Sequence, residues 1–212
     1  MIFSYDGVHQ EFYMPTEAPG IIDMPSMHYI AIRGKGDIES QKGDYKQAIE
    51  ILFALVYSLK VYGIEDPRID GYFQEGEQLL ESFWWHEEGK EIDYKHKKDL
   101  NWMLAIRLPE FFLKEDLDKA IDKAKTLRSR QFSRIEYLTI HEGLCVRSIH
   151  VGPLEKSSKT IKSMHKFAKK HGFELDFSKD RMHHELYLYD ARRTPRDKQR
   201  TEIRHPVKEI EK

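Results

Sequence analysis

The chain has 212 residues, of which 40% are hydrophobic and 33% charged, and its formal net charge is -1. This balance is typical of one large globular domain or two small ones, and it gives no electrostatic reason to expect binding to nucleic acid or an anionic membrane. No apolar run approaches the roughly 18 residues of a membrane span, and no signal-peptide pattern is present. The single cysteine, Cys145, excludes an internal disulfide and suits a reducing compartment. We therefore expect a cytoplasmic protein.

The first third of the chain is predicted to form a strand followed by a helix. Residues 1–26 are rich in proline and glycine and are expected to form an arm that leads into a strand at 27–33. Apolar residues at helical spacing predict a helix that begins at Asp44, with Gly63 as its C-cap.

Extended chain is expected next. Residues 69–85 are predicted to be extended, with a break near 75–77, and the charged residues 86–99 to form a solvated hairpin tip. A strand at 101–108 stops at Pro109, and the apolar spacing within 114–127 predicts a linking helix.

The same order of elements then recurs. Residues 135–151 are predicted as two strands around a turn at Glu142 and Gly143. A helix is predicted from Gly152 and Pro153 to His171 and Gly172, with a buried stripe formed by Leu154, Ser157, Ile161, Met164 and Ala168. A strand around Glu185, a basic turn at 192–200 and a last strand at 201–207 complete the chain.

This repetition predicts a duplication. Gly34 and Gly152, which end the matching first strands, lie 118 residues apart, whereas Pro109 and Pro206 lie 97 apart. We interpret the chain as a single domain (1–212) of two modules, at 24–112 and 133–210, joined by the helix at 114–127. A cleft between two related modules is a common place for a ligand.

The strand around Glu185 carries the most informative chemistry. Successive side chains of a strand point to opposite faces, so Glu185, Tyr187 and Tyr189 share one face and His184 and Leu186 share the other. A carboxylate beside a phenol can act as a general base next to a hydrogen-bond donor. The pattern alone favours an edge strand whose Glu and Tyr side chains lie in water.

An aromatic run provides the second candidate. In a strand, Phe83 and Trp85 share a face with Glu81, and Trp84 takes the other face. Such rings can stack on a flat ligand or simply fill the core. Adjacent His183 and His184 point apart and no metal-binding spacing is present, so we expect neither a metal nor another cofactor.

Together these pieces resemble the gyrase-inhibitory-protein-like (GyrI-like) small-molecule-binding domain, over about residues 24–207. The elements that carry the resemblance are Glu81-Ser82-Phe83-Trp84-Trp85, Leu108-Pro109, Ile149-His150 with Gly152-Pro153, His183 to Leu188, and Arg204-His205-Pro206-Val207. The resemblance implies an α+β fold of two β-α-β-β (SHS2-type) modules related by a pseudo-twofold axis. Antiparallel sheets carry helices on one side, and a ligand lies in the cleft between the modules.

The Trp-Trp and His-His-Glu elements are similar to those of stand-alone cyclopropanoid cyclopropyl hydrolases, which detoxify DNA-alkylating natural products in an aromatic cage. Carried over, the resemblance implies Glu185 and Tyr187 as the polar catalytic centre. It also implies Trp84 and Trp85 as ligand-binding residues of the aromatic cage. We add Phe83, Arg147, His150 and Tyr189 as further ligand-binding candidates. Arg147 and Leu154 depart from the family pattern, which commonly has Gln and Tyr there.

Three functions remain open at this point. The first is a hydrolase acting on a planar electrophile, and the second is a non-catalytic binder that sequesters planar aromatic or cationic drugs. The third is a protein-interaction module. The expected partner is a planar hydrophobic small molecule rather than nucleic acid or membrane, and the expected state is a monomer or weak dimer.

Overall fold

The computed structural model describes residues 12, 15–36, 38, 40, 42–62, 67–75, 78–86, 92, 100–125 and 132–211. Four α-helices and seven strands lie within these ranges. In chain order they are β1 (Gly20–Lys35), α1 (Asp44–Tyr62), α2 (Pro67–Glu75), β2 (Leu80–Trp85), β3 (Asn101–Leu108), α3 (Lys114–Lys125), β4 (Glu136–Val151), α4 (Ser158–Lys170), β5 (Phe173–Leu175), β6 (His183–Tyr187) and β7 (Arg200–Glu209).

The strands form one antiparallel sheet in the order β4-β1-β3-β2-β6-β7-β5. Because β4 also pairs with β7, six of the strands close into a ring, which removes most of the exposed edges. The predicted α+β class with antiparallel pairing is confirmed.

The two halves of the sheet have the same internal order. The first half runs β1-β3-β2 and the second β4-β7-β6, and they meet at the β2–β6 pair. Gly34 lies opposite Trp102, and the Gly152 N–H donates to the Gln199 carbonyl at 2.8 Å. Residues 102 and 199 are 97 apart, as are Pro109 and Pro206, so the observed pairing reproduces both predicted offsets. This supports the duplication, whose module boundaries stay a prediction.

The helices pack on the outer face of the ring. Helices α1, α2 and α3 bury Leu52, Phe73 and Leu117 against a core that includes Trp102 and Leu104. Helix α4 buries Ile161, Met164 and Ala168 against Val146, Ile203 and Val207. Of the predicted buried stripe, Ile161, Met164 and Ala168 lie in α4, and Ser157, 1% exposed, directly precedes it. Leu154 is only partly buried and lies in a short 3₁₀ turn at Leu154–Lys156, so α4 begins later than the predicted start at Gly152 and Pro153.

The inner face of the ring combines an apolar cluster with a buried ionic network. Arg204 donates to both Glu202 and Glu142, with its Nε 2.7 Å from Glu202 Oε1 and its Nη1 3.2 Å from Glu142 Oε2. His184 Nδ1 lies 2.9 Å from Glu142 Oε1, and His184 Nε2 lies 2.9 Å from Glu81 Oε2. Each buried charge thus has an opposite charge in contact, which offsets its cost of desolvation.

Two predicted elements are wrong. The chain was expected to be extended from residue 69, but it is helical up to Glu75, as part of α2. Ile69 and Phe73 lie four residues apart on one face of this helix, and each is only 1% exposed, because this face packs against the core. No turn interrupts β4 either. Gly143 has φ 62°, but the pairing with β1 continues in the same register from Glu136 to Arg147. The 16-residue β1 is long enough to keep β4 extended through this bend.

Several other predicted element boundaries differ from the observed ones or lie outside the residues that the structure describes. Strand β1 begins at Gly20, seven residues before the predicted start, because the earlier residues pair with β4. The predicted cap Gly63, Leu127 of the linking helix and most of the expected hairpin tip at 86–99 lie outside the described residues. Of the helices that the structure describes, none is long and apolar enough to cross a membrane.

Candidate functional site

The β2–β6 pair places the predicted polar centre at the junction of the two halves. Ser82 lies opposite Glu185, and Trp84 lies opposite His183. Because strand side chains alternate, these four side chains and Tyr187 share the outer face of the ring. The Glu185 strand is therefore a buried central strand, and the solvated edge strand is excluded.

Glu185 is only 1% exposed and is surrounded by hydrogen-bond donors. Its Oε2 accepts from the Tyr187 hydroxyl at 2.7 Å, from Trp84 Nε1 at 3.2 Å and from Ser82 Oγ at 3.3 Å. On the other side, Oε1 lies 3.1 Å from His183 Nε2. An ionised carboxylate only accepts hydrogen bonds, so this arrangement suits the charged form of Glu185.

Aromatic rings enclose the carboxylate. Tyr45 of α1 stacks on Trp84, with centroids 5.6 Å apart and planes at 24°, and Tyr189 meets Tyr187 edge to face at 6.0 Å. Burial, together with the nearby charge of Glu185, raises the pKa of Tyr187 and of Tyr189 above the ordinary value. The phenols therefore stay protonated at neutral pH and act as donors.

Comparison with known proteins shows the family to which the chain belongs. The family model of the GyrI-like small molecule binding domain matches residues 17–208. The chain belongs to this GyrI-like family. No curated protein matches the chain significantly.

Three solved structures are similar to this chain along nearly its whole length. An uncharacterised conserved protein from Listeria innocua is 33% identical, with a TM-score of 0.84, and the match covers 95% of this chain and 97% of that one. A hydrolase from the same organism is 31% identical, with a TM-score of 0.80 and the same coverage. The C-terminal domain of EcmrR shares the fold, with a TM-score of 0.58 at 15% identity, over 91% of this chain and 98% of that one.

Three predicted ligand-binding residues of the GyrI-like site lie on the inner face, away from Glu185. Phe83 is 1% exposed and stacks on His184 at 3.9 Å, and Trp85 packs with the same inner cluster. Arg147 contacts Glu202 at 3.6 Å and the Phe12 carbonyl at 3.2 Å. Only Trp84 of the aromatic run joins Glu185, and roles for the other three would require a ligand on the opposite face.

His150 lies on the same face as Glu185 but is committed to α4. Its two ring nitrogens lie 3.0 Å from Thr160 Oγ1 and 3.0 Å from the Pro153 carbonyl. It is two strands from Tyr187, about 10 Å away at ordinary strand spacing. A surface depression of about 370 Å³ opens beside Arg181 and Lys208 and shares no residue with the predicted site.

Sequence reasoning missed Ser82 and Tyr45. Ser82 could have been found, since it lies two residues before Trp84 on a strand and its side chain therefore points to the same face. Tyr45 carried no comparable signal, because it directly follows the helix start at Asp44 and reaches the site only through the packing of α1. Within the described ranges, no group of three His, Cys, Asp or Glu side chains is arranged to hold a metal ion.

Proposed function

We propose that this protein binds a planar electrophilic small molecule beside Trp84 and hydrolyses the strained ring of cyclopropanoid DNA-alkylating compounds. The observation that carries the proposal is the buried Glu185–Tyr187 pair, joined by a 2.7 Å hydrogen bond and walled by the Trp84 indole. Membership of a small-molecule-binding family and the 31% identical hydrolase from Listeria innocua support it.

Glu185 and Tyr187 can together catalyse this hydrolysis with every proton accounted for. Water oxygen bonds to the cyclopropane CH₂ carbon, the ring C–C bond breaks, and its electrons move to the conjugated carbonyl oxygen, which becomes a phenol oxygen. Glu185 takes the proton that water loses, and Tyr187 donates its proton to the new phenol oxygen. Glu185 then returns its proton to Tyr187 through their hydrogen bond, which restores both groups.

Access to this pair involves Tyr45. In this structure the Tyr45 ring covers one face of Trp84, and Glu185 is 1% exposed. We expect a planar ligand to displace the Tyr45 ring and to stack in its place, with its carbonyl oxygen accepting the hydrogen bond of the Tyr187 hydroxyl. Exclusion of water by the rings would then strengthen the electrostatic interactions of the pair with the ligand.

A specific observation also favours the second function, a non-catalytic binder of cationic planar drugs. A carboxylate enclosed by Trp84, Tyr45 and Tyr187 combines a counter-charge with aromatic faces, which attract organic cations. In that case Glu185 would hold the charge of the ligand and no covalent step would follow.

The decisive experiment incubates the protein with a cyclopropane-bearing alkylator and follows the product by mass spectrometry. We expect Glu185→Gln to slow hydrolysis by about 10²- to 10⁴-fold, the usual contribution of a general base. Glu174→Gln, at an exposed position of strand β5, is the matched control and should keep full activity. Stoichiometric binding without product would show that the protein sequesters the compound and does not hydrolyse it. A protein that neither binds nor converts the compound would contradict both functions.

A further inference from the structure

Helix α4 presents a cationic face to solvent. Its exposed positions hold only lysine and serine side chains, namely Ser158, Lys159, Lys162, Ser163, Lys166, Lys169 and Lys170. No aspartate or glutamate occurs anywhere in the helix. We call the five lysines of this set, Lys159, Lys162, Lys166, Lys169 and Lys170, the lysine face.

The part of the chain that the structure describes does not neutralise the lysine face. Within it, none of the five ammonium groups forms an ion pair with a carboxylate. The basic turn expected at 192–200 is different, because Arg192 and Arg193 contact Asp190, and Arg196 contacts Glu155 at 2.5 Å. The charge of the lysine face is therefore open to an outside partner, whereas that of the turn is largely compensated.

Helix α3 shows how this protein arranges a charged helix that is simply solvated. It contains four lysines and four acidic residues, which are interleaved along the sequence. Lys119 lies 3.7 Å from Asp116 and Lys125 lies 3.1 Å from Asp122, each pair one turn apart. Because α4 has no such pairs, its lysine face does not follow the pattern of a helix stabilised by its own surface charges.

The lysine face also opposes the stability of α4. Lys162 and Lys166, like Lys166 and Lys170, are four residues apart and repel each other. The first turn of α4 contains Lys159 and no acidic side chain, although a negative charge is favourable at a helix N-terminus. A face that costs folding free energy is expected where a partner supplies the negative charge.

The whole-chain charge conceals this feature. Residues 133–212 contain 18 basic and 12 acidic side chains, whereas residues 1–132 contain 17 basic and 24 acidic ones. The formal net charge of -1 is therefore the balance of a positive second part and a negative first part. The absence of an electrostatic reason to bind nucleic acid, expected from the net charge, does not apply to α4.

The composition of the lysine face favours a phosphate backbone over other polyanionic partners. A helix that lies on a membrane inserts apolar side chains, but those of α4 are already packed against Val146, Ile203 and Val207 of the sheet. Cores of protein interfaces are poor in lysine and rich in aromatic residues. Lysine and serine, in contrast, are among the side chains that contact nucleic-acid phosphates.

The length of the lysine face suits contact with several phosphates. Lys159 and Lys170 are eleven positions apart, which corresponds to about 16 Å along the helix axis. One strand of duplex DNA places about five phosphates along this distance. A straight helix can therefore meet several phosphates of one strand at the same time.

We propose that the lysine face of α4 binds the phosphate backbone of duplex DNA without preference for sequence. This binding is electrostatic and does not depend on the hydrolysis proposed above, so the inference goes beyond that function. The two properties together would place a protein that removes DNA-alkylating compounds on the molecule that these compounds attack.

Fluorescence anisotropy of the whole chain with a labelled duplex of mixed sequence, about 20 base pairs long, tests the proposal. Non-specific binding of this kind has a Kd of about 10⁻⁶ to 10⁻⁴ M at physiological salt. If the lysine face neutralises about four phosphates, affinity should fall about 150-fold between about 50 and 200 mM NaCl. A second duplex of unrelated sequence should bind equally well.

A triple variant removes the charge from the centre of the lysine face. In Lys162→Gln, Lys166→Gln and Lys169→Gln combined, binding at about 50 mM NaCl should weaken by about tenfold or more. The slope of log K against log salt should fall by about 3, and by about 1 in Lys166→Gln alone. These side chains are exposed, so we expect the variants to fold, which far-UV circular dichroism checks.

The matched control is a triple variant of α3, with Lys114→Gln, Lys119→Gln and Lys125→Gln combined. It changes the net charge of the protein by the same amount at exposed positions of another helix. It should bind DNA with the affinity of wild type. Equal losses in the two triple variants would attribute binding to the net charge of the molecule and overturn the proposal.

Two further results overturn the proposal. One is the absence of saturable DNA binding by wild type up to about 10⁻⁴ M protein at about 50 mM NaCl. The other is binding to phosphatidylserine vesicles in place of DNA. The α4 triple variant should hydrolyse the free compound like wild type, since the lysine face contributes no residue to the Glu185 site. Absence of hydrolysis in wild type contradicts the proposed function and leaves the DNA measurement unaffected.

Discussion

Ser82 and Glu185 lie directly opposite each other across the β2–β6 pair, with Ser82 Oγ 3.3 Å from Glu185 Oε2. Ser82 belongs to the first half of the sheet and Glu185 to the second. Tyr187 and His183 contact Glu185 from within its own strand, whereas Ser82 and Trp84 belong to the first half. The full set of hydrogen bonds to the carboxylate therefore forms only when the two halves pair, which couples completion of the site to the closure of the ring.

Replacing Trp84 should weaken binding of a planar ligand, whereas replacing Trp85 should not. Trp84 donates to Glu185 and stacks with Tyr45, but Trp85 lies on the inner face. We expect Trp84→Phe to cost about 1.4 kcal/mol of binding free energy, a tenfold change in Kd, through loss of ring area and a donor. Isothermal titration calorimetry measures both variants. Equal losses of binding free energy in Trp84→Phe and Trp85→Phe would show that the ligand does not bind on the Trp84 face.

Truncation of Tyr45 should open the site. Tyr45→Ala removes the ring that stacks on Trp84 and packs edge-on to Trp102 at 5.1 Å. We expect a loss of about 1 to 3 kcal/mol in the free energy of unfolding, and stronger quenching of Trp fluorescence by acrylamide. Tyr57→Ala, 54% exposed on the same helix, should change stability by less than about 0.5 kcal/mol. Unchanged quenching in Tyr45→Ala would show that this ring does not cover the site.

The inner ionic network contributes most to stability between pH 4.5 and 6.5. Burial opposes the charge on His184, but attraction to Glu142 outweighs it and raises the pKa of His184 from 6.5 to about 9. Burial likewise opposes the charge on Glu142, but His184 and then Arg204 lower its pKa from 4.5 to about 2. The His184 contribution is complete below pH 6.5 and is lost as pH rises through 9. The Glu142 contribution is complete above pH 4.5 and is lost as pH falls through 2.

Urea unfolding at a series of pH values from 3 to 10 checks this prediction. The free energy of unfolding should decline between pH 6.5 and 9 in wild type, and His184→Gln should remove that decline. The exposed His171→Gln serves as control and should retain it. A wild-type free energy that stays constant over this range would show that His184 is not held in its charged form.

Removal of Arg204 should be the most destabilising change in the inner network. Its side chain is 1% exposed and contacts Glu202 and Glu142, so Arg204→Met would remove the cation that these two buried carboxylates share and leave Glu142 with His184 and Glu202 with Arg147. We expect a loss of about 3 to 5 kcal/mol in the free energy of unfolding. Arg200→Met removes an exposed pair with Glu17 and should cost less than about 1 kcal/mol. Thermal and urea unfolding compare the two, and similar losses would contradict the network.

Local patterns were sufficient for much of the fold. The helical spacing in 114–127 and 153–171 located α3 and α4, because each helix buries one face, although α4 begins only at Ser158, after the 3₁₀ turn at Leu154–Lys156. The same reasoning failed for α2, whose apolar residues are too few to separate a short helix from a strand. It also failed at Gly143, because pairing with β1 keeps β4 extended across a position that usually marks a turn.

The sequence by itself determined which residues share a face. Strand alternation placed Glu185 with Tyr187 and separated Trp84 from Trp85, and sequence motifs alone carried the resemblance to the family. Only the tertiary structure decided which of these faces meet. The register of β2 against β6 selected Trp84, and the packing of α1 added Tyr45. Periodicity is a local property of the chain, whereas register and helix packing depend on contacts between residues far apart in sequence.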